Sequence, residues 1–139
     1  MFHLPEPHKN NSYYMDRIVS EIGKNIFVFG SNCAGVHGAG AARTAIRRYG
    51  AAYGKGIGLH GQSYAIPTKD RQIKTLGLSV IEGFVEDFVI FTKENPKLTF
   101  FVTPIGTGLA GYRAEDIAPF FKGSINCWFP DSWKPYLKD

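Results

Sequence analysis

The residues able to do chemistry gather in two glycine-rich stretches, with a Lys-Asp pair between them. The first stretch holds Gly30, Ser31, Asn32, Gly35, His37, Gly38, Ala39 and Gly40. The second runs Ile105-Gly106-Thr107-Gly108-Leu109-Ala110-Gly111-Tyr112, and the pair is Lys69-Asp70. Glycine lets backbone N–H groups approach an anion without a Cβ in the way. An Asn amide offers vicinal hydroxyls both a donor and an acceptor, and imidazole is the side chain suited to proton transfer near neutral pH. The implied ligand is an anion or a nucleotide. The bland alternatives stay open. Glycines can serve turn geometry alone, Asn32 can simply make a turn, His37 can pack, and Lys69 and Asp70 can form a solvated surface pair.

The first stretch is not a Walker A loop, because no Gly-Lys-Ser/Thr closes it. It is not a dinucleotide fingerprint either. Arg43 stands where the third glycine belongs, and no acidic residue follows at the required distance.

The elements around these stretches follow from pattern. Ile26-Phe27-Val28-Phe29 is an apolar run suited to a strand buried on both faces. Ala41 to Tyr49, rich in Ala and Arg, reads as a helix. Strand, glycine loop and helix in that order place a helix N-terminus at the carboxyl edge of a strand, where phosphate binds. Tyr49 to Gly61 is too glycine-rich for helix and reads as loop or edge strand. Gln62 to Asp70 reads as a strand closed by Pro67, with Lys69 and Asp70 just past its end. Leu78 to Asn95 is the clearest helix; Val80, Phe84 and Phe88, and Ile81, Val85 and Val89, recur at steps of four. Leu98 to Thr103 is a strand that runs straight into the second glycine stretch. Arg113 to Phe121 reads as a short helix and Ser124 to Phe129 as a last strand. Pro130 to Asp139 reads as a polar tail with Trp133 and Tyr136 as anchors. Upstream, Met1 to Asn11 reads as an arm and Ser12 to Ile22 as a short helix stopped by Gly23. The alternation of strands and helices argues a three-layer α/β fold. The expected division is an arm and short helix over residues 1–24, packed on one domain over residues 25–139.

The chain has 139 residues, 44% of them hydrophobic and 14% aromatic, enough for one domain with a single core. Its formal net charge of +4 favours anionic ligands. The Lys and Arg residues are scattered along the sequence, which argues against nucleic acid as a partner. Cys33 and Cys127 form no zinc or CxxC pattern, and a reducing, cytoplasmic setting is expected. No apolar run reaches membrane-spanning length, so no membrane partner is expected. Metal-ligand spacing is absent, and neither metal nor cofactor is expected. Nothing in the sequence specifies an oligomeric state.

Two glycine loops, each after an apolar strand and before a helix, suggest one crevice shared by a ligand with two phosphates. With the strand Tyr64-Ala65-Ile66-Pro67-Thr68-Lys69 between them, the chain from Asn25 to Phe121 resembles the macro domains, which bind ADP-ribose. The stretch Phe29-Gly30-Ser31-Asn32 with Gly38-Ala39-Gly40-Ala41-Ala42 is similar to the first macro loop, and Pro104 to Tyr112 to the second. The resemblance implies a largely parallel, mixed sheet between helix layers and ADP-ribose or an ADP-ribosylated molecule as partner. It implies that Asn32 binds the distal ribose, with Gly30, Ser31 and Gly35 beside it. It implies that Gly38, Ala39 and Gly40 and the backbone from Ile105 through Gly106, Thr107, Gly108, Leu109, Ala110 and Gly111 cradle the phosphates. Tyr112 would cover the distal ribose. In the branch that cleaves ADP-ribosyl-glutamate a Lys forms a covalent intermediate, and Lys69 stands in a matching place; the Asp of that branch reads Ala110 here. In a phosphatase branch a His and an Asp act on ADP-ribose 1″-phosphate, and His37 and Asp70 are the nearest counterparts. The Asp-Ile-Thr/Val run that reads adenine has no counterpart; Asp16 is the nearest acid.

Three expectations follow. One is a hydrolase of an ADP-ribose derivative using Asn32, His37, Lys69 and Asp70. The other is a non-catalytic reader or sequestering module for ADP-ribose or a related nucleotide signal. A third is an interaction domain that keeps the fold and binds no nucleotide.

Overall fold

The computed structural model describes residues 11–15 and 21–137. Six strands form one sheet in the order β1-β6-β5-β2-β4-β3. They are β1 (Ser12–Tyr14), β2 (Ile26–Asn32), β3 (Gly58–His60), β4 (Ser63–Lys69), β5 (Phe100–Val102) and β6 (Cys127–Pro130). Only β3 runs antiparallel, against β4 at the edge. The other pairings are parallel. The expected three-layer α/β/α fold with a mixed, largely parallel sheet is the one observed.

The alternation of side chains along β2 builds both outer layers. Ile26 and Val28 point into one core with Tyr64, Ile66, Phe100 and Val102. Against them lies α2 (Leu78–Glu94), which buries Ile81, Val85, Phe88, Val89 and Thr92. Phe27 and Phe29 point to the other face, into a second core with Tyr14, Ala45, Tyr49, Ala65 and Phe101. That face is covered by α1 (Gly40–Arg48). The chain ends the first core with α3 (Ala114–Ile117), a 3-10 turn at Ala118–Phe121, a second at Asp131–Trp133, and α4 (Lys134–Leu137).

Four expectations need correction. Ser12–Tyr14 is a strand, not the start of a helix: Tyr14 is buried on the sheet, its ring stacked 4.3 Å from Phe101 and its hydroxyl donating to the Val102 carbonyl at 2.7 Å. The remainder of that expected helix up to Ser20, with Asp16 and the arm before Asn11, lies outside the described residues. Pro67 does not end β4 but sits within it. It is tolerated because β3 pairs with β4 only as far as Ala65, so the missing N–H falls where β4 has become an edge. Val80 faces solvent rather than the core. The tail after Pro130 is helical rather than irregular, and Trp133 does anchor it, buried against Phe121 and Phe129.

Candidate functional site

The carboxyl ends of β2, β4 and β5 open into one cleft of about 430 Å³. Both glycine stretches border it, from Gly30, Ser31, Asn32, Gly38, Ala39 and Gly40 on one side to Ile105, Gly106, Gly108, Leu109 and Ala110 on the other. The two walls are about seventy residues apart in sequence and meet because β2 and β5 are neighbours in register.

The first wall carries the start of α1. No side chain caps Ala39, and the first turn has no acidic residue. Gly40 takes φ 56°, a left-handed turn that brings the chain into the helix without a Cβ facing the cleft. The helix therefore presents its free N–H groups and the positive end of its dipole to the cleft, with Ala41 and Ala42 along the wall.

Asn32 ends β2 after a register shift that pairs it with Lys69. Its side chain closes a ring on its own loop: Nδ2 donates to the Val36 carbonyl at 2.7 Å, and Oδ1 accepts from the Val36 N–H at 3.0 Å. One N–H and one lone pair of the amide remain for a ligand. Lys69 lines the cleft and is the one ionisable side chain to do so among the described residues.

His37 stands elsewhere. The sequence places it in the loop facing the ligand, but it is 0% exposed and does not border the cleft. Phe29 meets it edge-on at 5.4 Å and Tyr53 lies 6.1 Å away. Its Nε2 is 3.1 Å from both the Ala52 and Lys55 carbonyls. Two carbonyls can only accept, so Nε2 carries the proton and donates. Nδ1 is buried with no partner. His37 thus pins the segment Ala52–Lys55 under the first loop. Gly35 has the same duty. It takes φ 73°, and a Cβ there would stand 2.4 Å from backbone atoms of Gly54 and Lys55. Gly54 N–H donates to the Gly35 carbonyl at 3.0 Å, and the Ser31 hydroxyl donates to the Gly56 carbonyl. Gly35 is expected from sequence as a ligand contact; its place is beneath the wall.

Asp70 does not border the cleft. Its Oδ1 accepts from the N–H groups of Gln72 and Lys74, both at 2.9 Å, and shapes the turn after β4. In the second loop, Thr107 Oγ1 donates to the Pro104 carbonyl and the Tyr112 hydroxyl to the Leu76 carbonyl, both at 2.7 Å. Thr107, Gly111 and Tyr112 do not border the cleft.

Sequence reasoning did not single out Val36, Thr68, Ile73 and Thr103, and gave Ala41, Ala42 and Pro104 a place in the two loops but no ligand role; all seven border the cleft. Thr68 and Thr103 were within reach, since each stands at the carboxyl end of a parallel strand. Their hydroxyls hold the sheet edge together, Thr103 to the Val28 carbonyl at 2.8 Å and Thr68 to the Ser31 carbonyl at 3.4 Å. Ile73 carries no signal in the sequence. No group of three or more metal-ligating side chains occurs among the described residues, and no helix there is long and apolar enough to cross a membrane.

No family model and no curated protein matches the sequence. Among solved structures the chain is similar to the macrodomain of Mycobacterium tuberculosis DarG, with a TM-score of 0.61 and 20% identity. The alignment covers 86% of this chain and 97% of that one. The sheet, its two covering layers and this likeness together show that the chain has the macrodomain fold.

Proposed function

We propose that the cleft binds ADP-ribose or a related nucleotide diphosphate-ribose and that Lys69 there cleaves an ADP-ribosyl bond. The observation that carries the binding half is the convergence of both glycine loops and an uncapped helix N-terminus on one cleft. Two phosphates in a row match two facing walls of backbone N–H groups. On this reading Asn32 would hold the hydroxyls of the distal ribose, and the anomeric carbon would come within reach of Lys69; the pairing of Asn32 with Lys69 in the sheet supports this.

The chemistry rests on Lys69 because the other candidates are occupied: His37 beneath the loop and Asp70 in its turn. The Lys69 amine attacks the anomeric carbon and the bond to the substituent breaks. The substituent leaves with the proton that the amine gives up, and the ribose remains attached to Nζ. Water then replaces Nζ on that carbon and returns the free amine. The walls contribute by holding the diphosphate so that the reacting atoms meet.

The experiment offers ADP-ribosylated glutamate peptide and ADP-ribose 1″-phosphate to the protein, and follows released ADP-ribose and phosphate. Lys69→Ala is expected to keep ADP-ribose binding and to lose at least about a hundredfold in turnover. Equal turnover in Lys69→Ala would end the covalent reading.

A second reading is a module that holds ADP-ribose without chemistry. It is favoured by the absence of any carboxylate in the cleft among the described residues, and by Ala110 at the place of the hydrolase branch's Asp. A thermal shift with ADP-ribose but no turnover of either substrate would establish it.

A further inference from the structure

The turn after β4 contains a conformation that the sequence does not favour. Ile73 takes φ 64°, and it is one of two non-glycine residues with positive φ among the described residues. A β-branched side chain in the left-handed region is a steric outlier. The turn that imposes it is closed by the Ile73 N–H on the Asp70 carbonyl at 3.1 Å and the Asp70 N–H on the Lys74 carbonyl at 2.8 Å. The Asp70 carboxylate holds the same turn from inside. Glycine, or Asn with its tolerance for this region, would relax it. No burial accounts for Ile73 instead: the side chain is 45% exposed, and it borders the cleft.

Two more exposed aliphatic residues border the same cleft, Val36 at 51% and Leu109 at 80%. Val36 is the residue to which the Asn32 amide is bonded. Ile73 belongs to the turn that leaves Lys69, and Thr75 at its far side bonds the Ala110 carbonyl at 3.3 Å, next to Leu109. The three side chains therefore come from three segments that border one cleft, the first tied to Asn32 and the second following Lys69. Strain at a cleft wall, borne by a side chain with no core to fill, points to a contact made with a ligand.

We propose that Ile73, with Val36 and Leu109, forms an apolar lip that packs on the C–H face of the distal ribose, and that the turn is held under strain to present it. The inference rests on ADP-ribose binding as read above and names the part of the ligand involved. The lip would supply the contact that orients the sugar face, while the Asn32 amide takes its hydroxyls.

The test compares ADP-ribose with ADP, which keeps both phosphates and lacks the distal ribose. Calorimetry and thermal melting are run on the wild type, Ile73→Gly and Ile73→Asn. Both variants should melt at or above the wild-type temperature, because the strain is relieved. Both should bind ADP-ribose at least about fivefold more weakly while binding ADP within about twofold of the wild type. Equal ADP-ribose affinity in wild type and variants would overturn the lip while leaving the binding site intact. An equal loss for ADP would place the contact on the nucleoside half and overturn it as well. Variants that melt well below the wild type would refute the strain. A wild type that binds neither compound would refute the ADP-ribose reading itself, and the lip with it.

Discussion

Replacing Gly56 with Ala tests whether the first wall depends on the segment beneath it. Gly56 is buried and has no left-handed φ, so any penalty is steric. An ideal Cβ there would stand 2.0 Å from the Asn32 carbonyl oxygen and 3.2 Å from the Gly35 nitrogen. The closest ordinary C···O approach is about 3.3 Å, so the two backbones must part by roughly 1 Å or more. No rotamer relieves this, because the atoms it meets are backbone. The separation breaks or stretches the Ser31 hydroxyl bond to the Gly56 carbonyl, the Gly35 N–H bond to the Asn32 carbonyl at 3.0 Å, and the His37 bond to the Lys55 carbonyl at 3.1 Å. At about 1 kcal/mol for each bond the loss is about 2–3 kcal/mol. An unfolding entropy of about 2 cal/mol/K per residue makes this about 7–10 °C in melting temperature for a chain of this length. Differential scanning calorimetry of Gly56→Ala reads the shift. Gly38→Ala is the control, because a Cβ at Gly38 meets nothing within 4 Å and its φ is not left-handed. A Gly56→Ala protein that melts within about 2 °C of the wild type would refute the claim that the lower segment holds the wall.

Gly38→Glu should fold with stability within about 0.5 kcal/mol of the wild type, since the position is open and exposed. It should nevertheless abolish ADP-ribose binding in calorimetry, because it sets a carboxylate where a phosphate is expected; retained binding would move the phosphates elsewhere. His37→Ala should cost about 2–4 kcal/mol in urea unfolding, by emptying a buried site and freeing two carbonyls. Any turnover should survive in the folded fraction; a stable His37→Ala protein without turnover would restore His37 to the chemistry. Burial pushes the Tyr64 hydroxyl up to about 12, with the Asp87 carboxylate adding to it. Its folded pKa lies above the unfolded value of 10.0, so the native state holds the proton more tightly. That contribution to stability is complete below pH 10.0 and is lost as the pH rises toward about 12. Urea midpoints should therefore fall across that range, and a flat profile would contradict the burial of this phenol.

The parts of the fold that could be read in advance are those where one local rule decides. The Ile26–Phe29 run is apolar on both faces because α1 and α2 cover both faces of β2. The helix Leu78–Glu94 follows from its period. The meeting of the two glycine loops follows from strand-end topology, without knowledge of any side chain. Long-range packing decides the rest. Nothing local distinguishes a helical Ser12–Tyr14 from a strand that pairs with β6, more than a hundred residues away. His37 looks like a loop histidine until the segment Ala52–Lys55 folds beneath it and takes its N–H. Asp70 reads as half of a surface pair until the turn it organises is seen. Ile73 is the extreme case, because its backbone contradicts its own preference and is set by the turn that Asp70 closes.

The two walls of the cleft are held in different ways, and this bears on how a ligand would be bound. The first is fastened from below by backbone: Gly35 and Gly56 press on neighbouring main chain, and Ser31 and His37 add side-chain bonds to the same segment. The second is held more sparsely; along its length the Thr75 hydroxyl donates to the Ala110 carbonyl at 3.3 Å. At Gly106 a Cβ would stand 3.0 Å from Ile117, and at Tyr112 the hydroxyl reaches Leu76. Between them Gly108 has nothing within 4 Å of its Cβ position and Leu109 is exposed. A wall with so few buried contacts opens at low cost, whereas the first opens only with the segment beneath it. On the proposed binding, the first wall would present its amides in a fixed array and the second would close over what they hold. Ligand-induced protection from hydrogen exchange should then concentrate in residues 107–111. The amides of residues 31–37 should be protected already in the free protein.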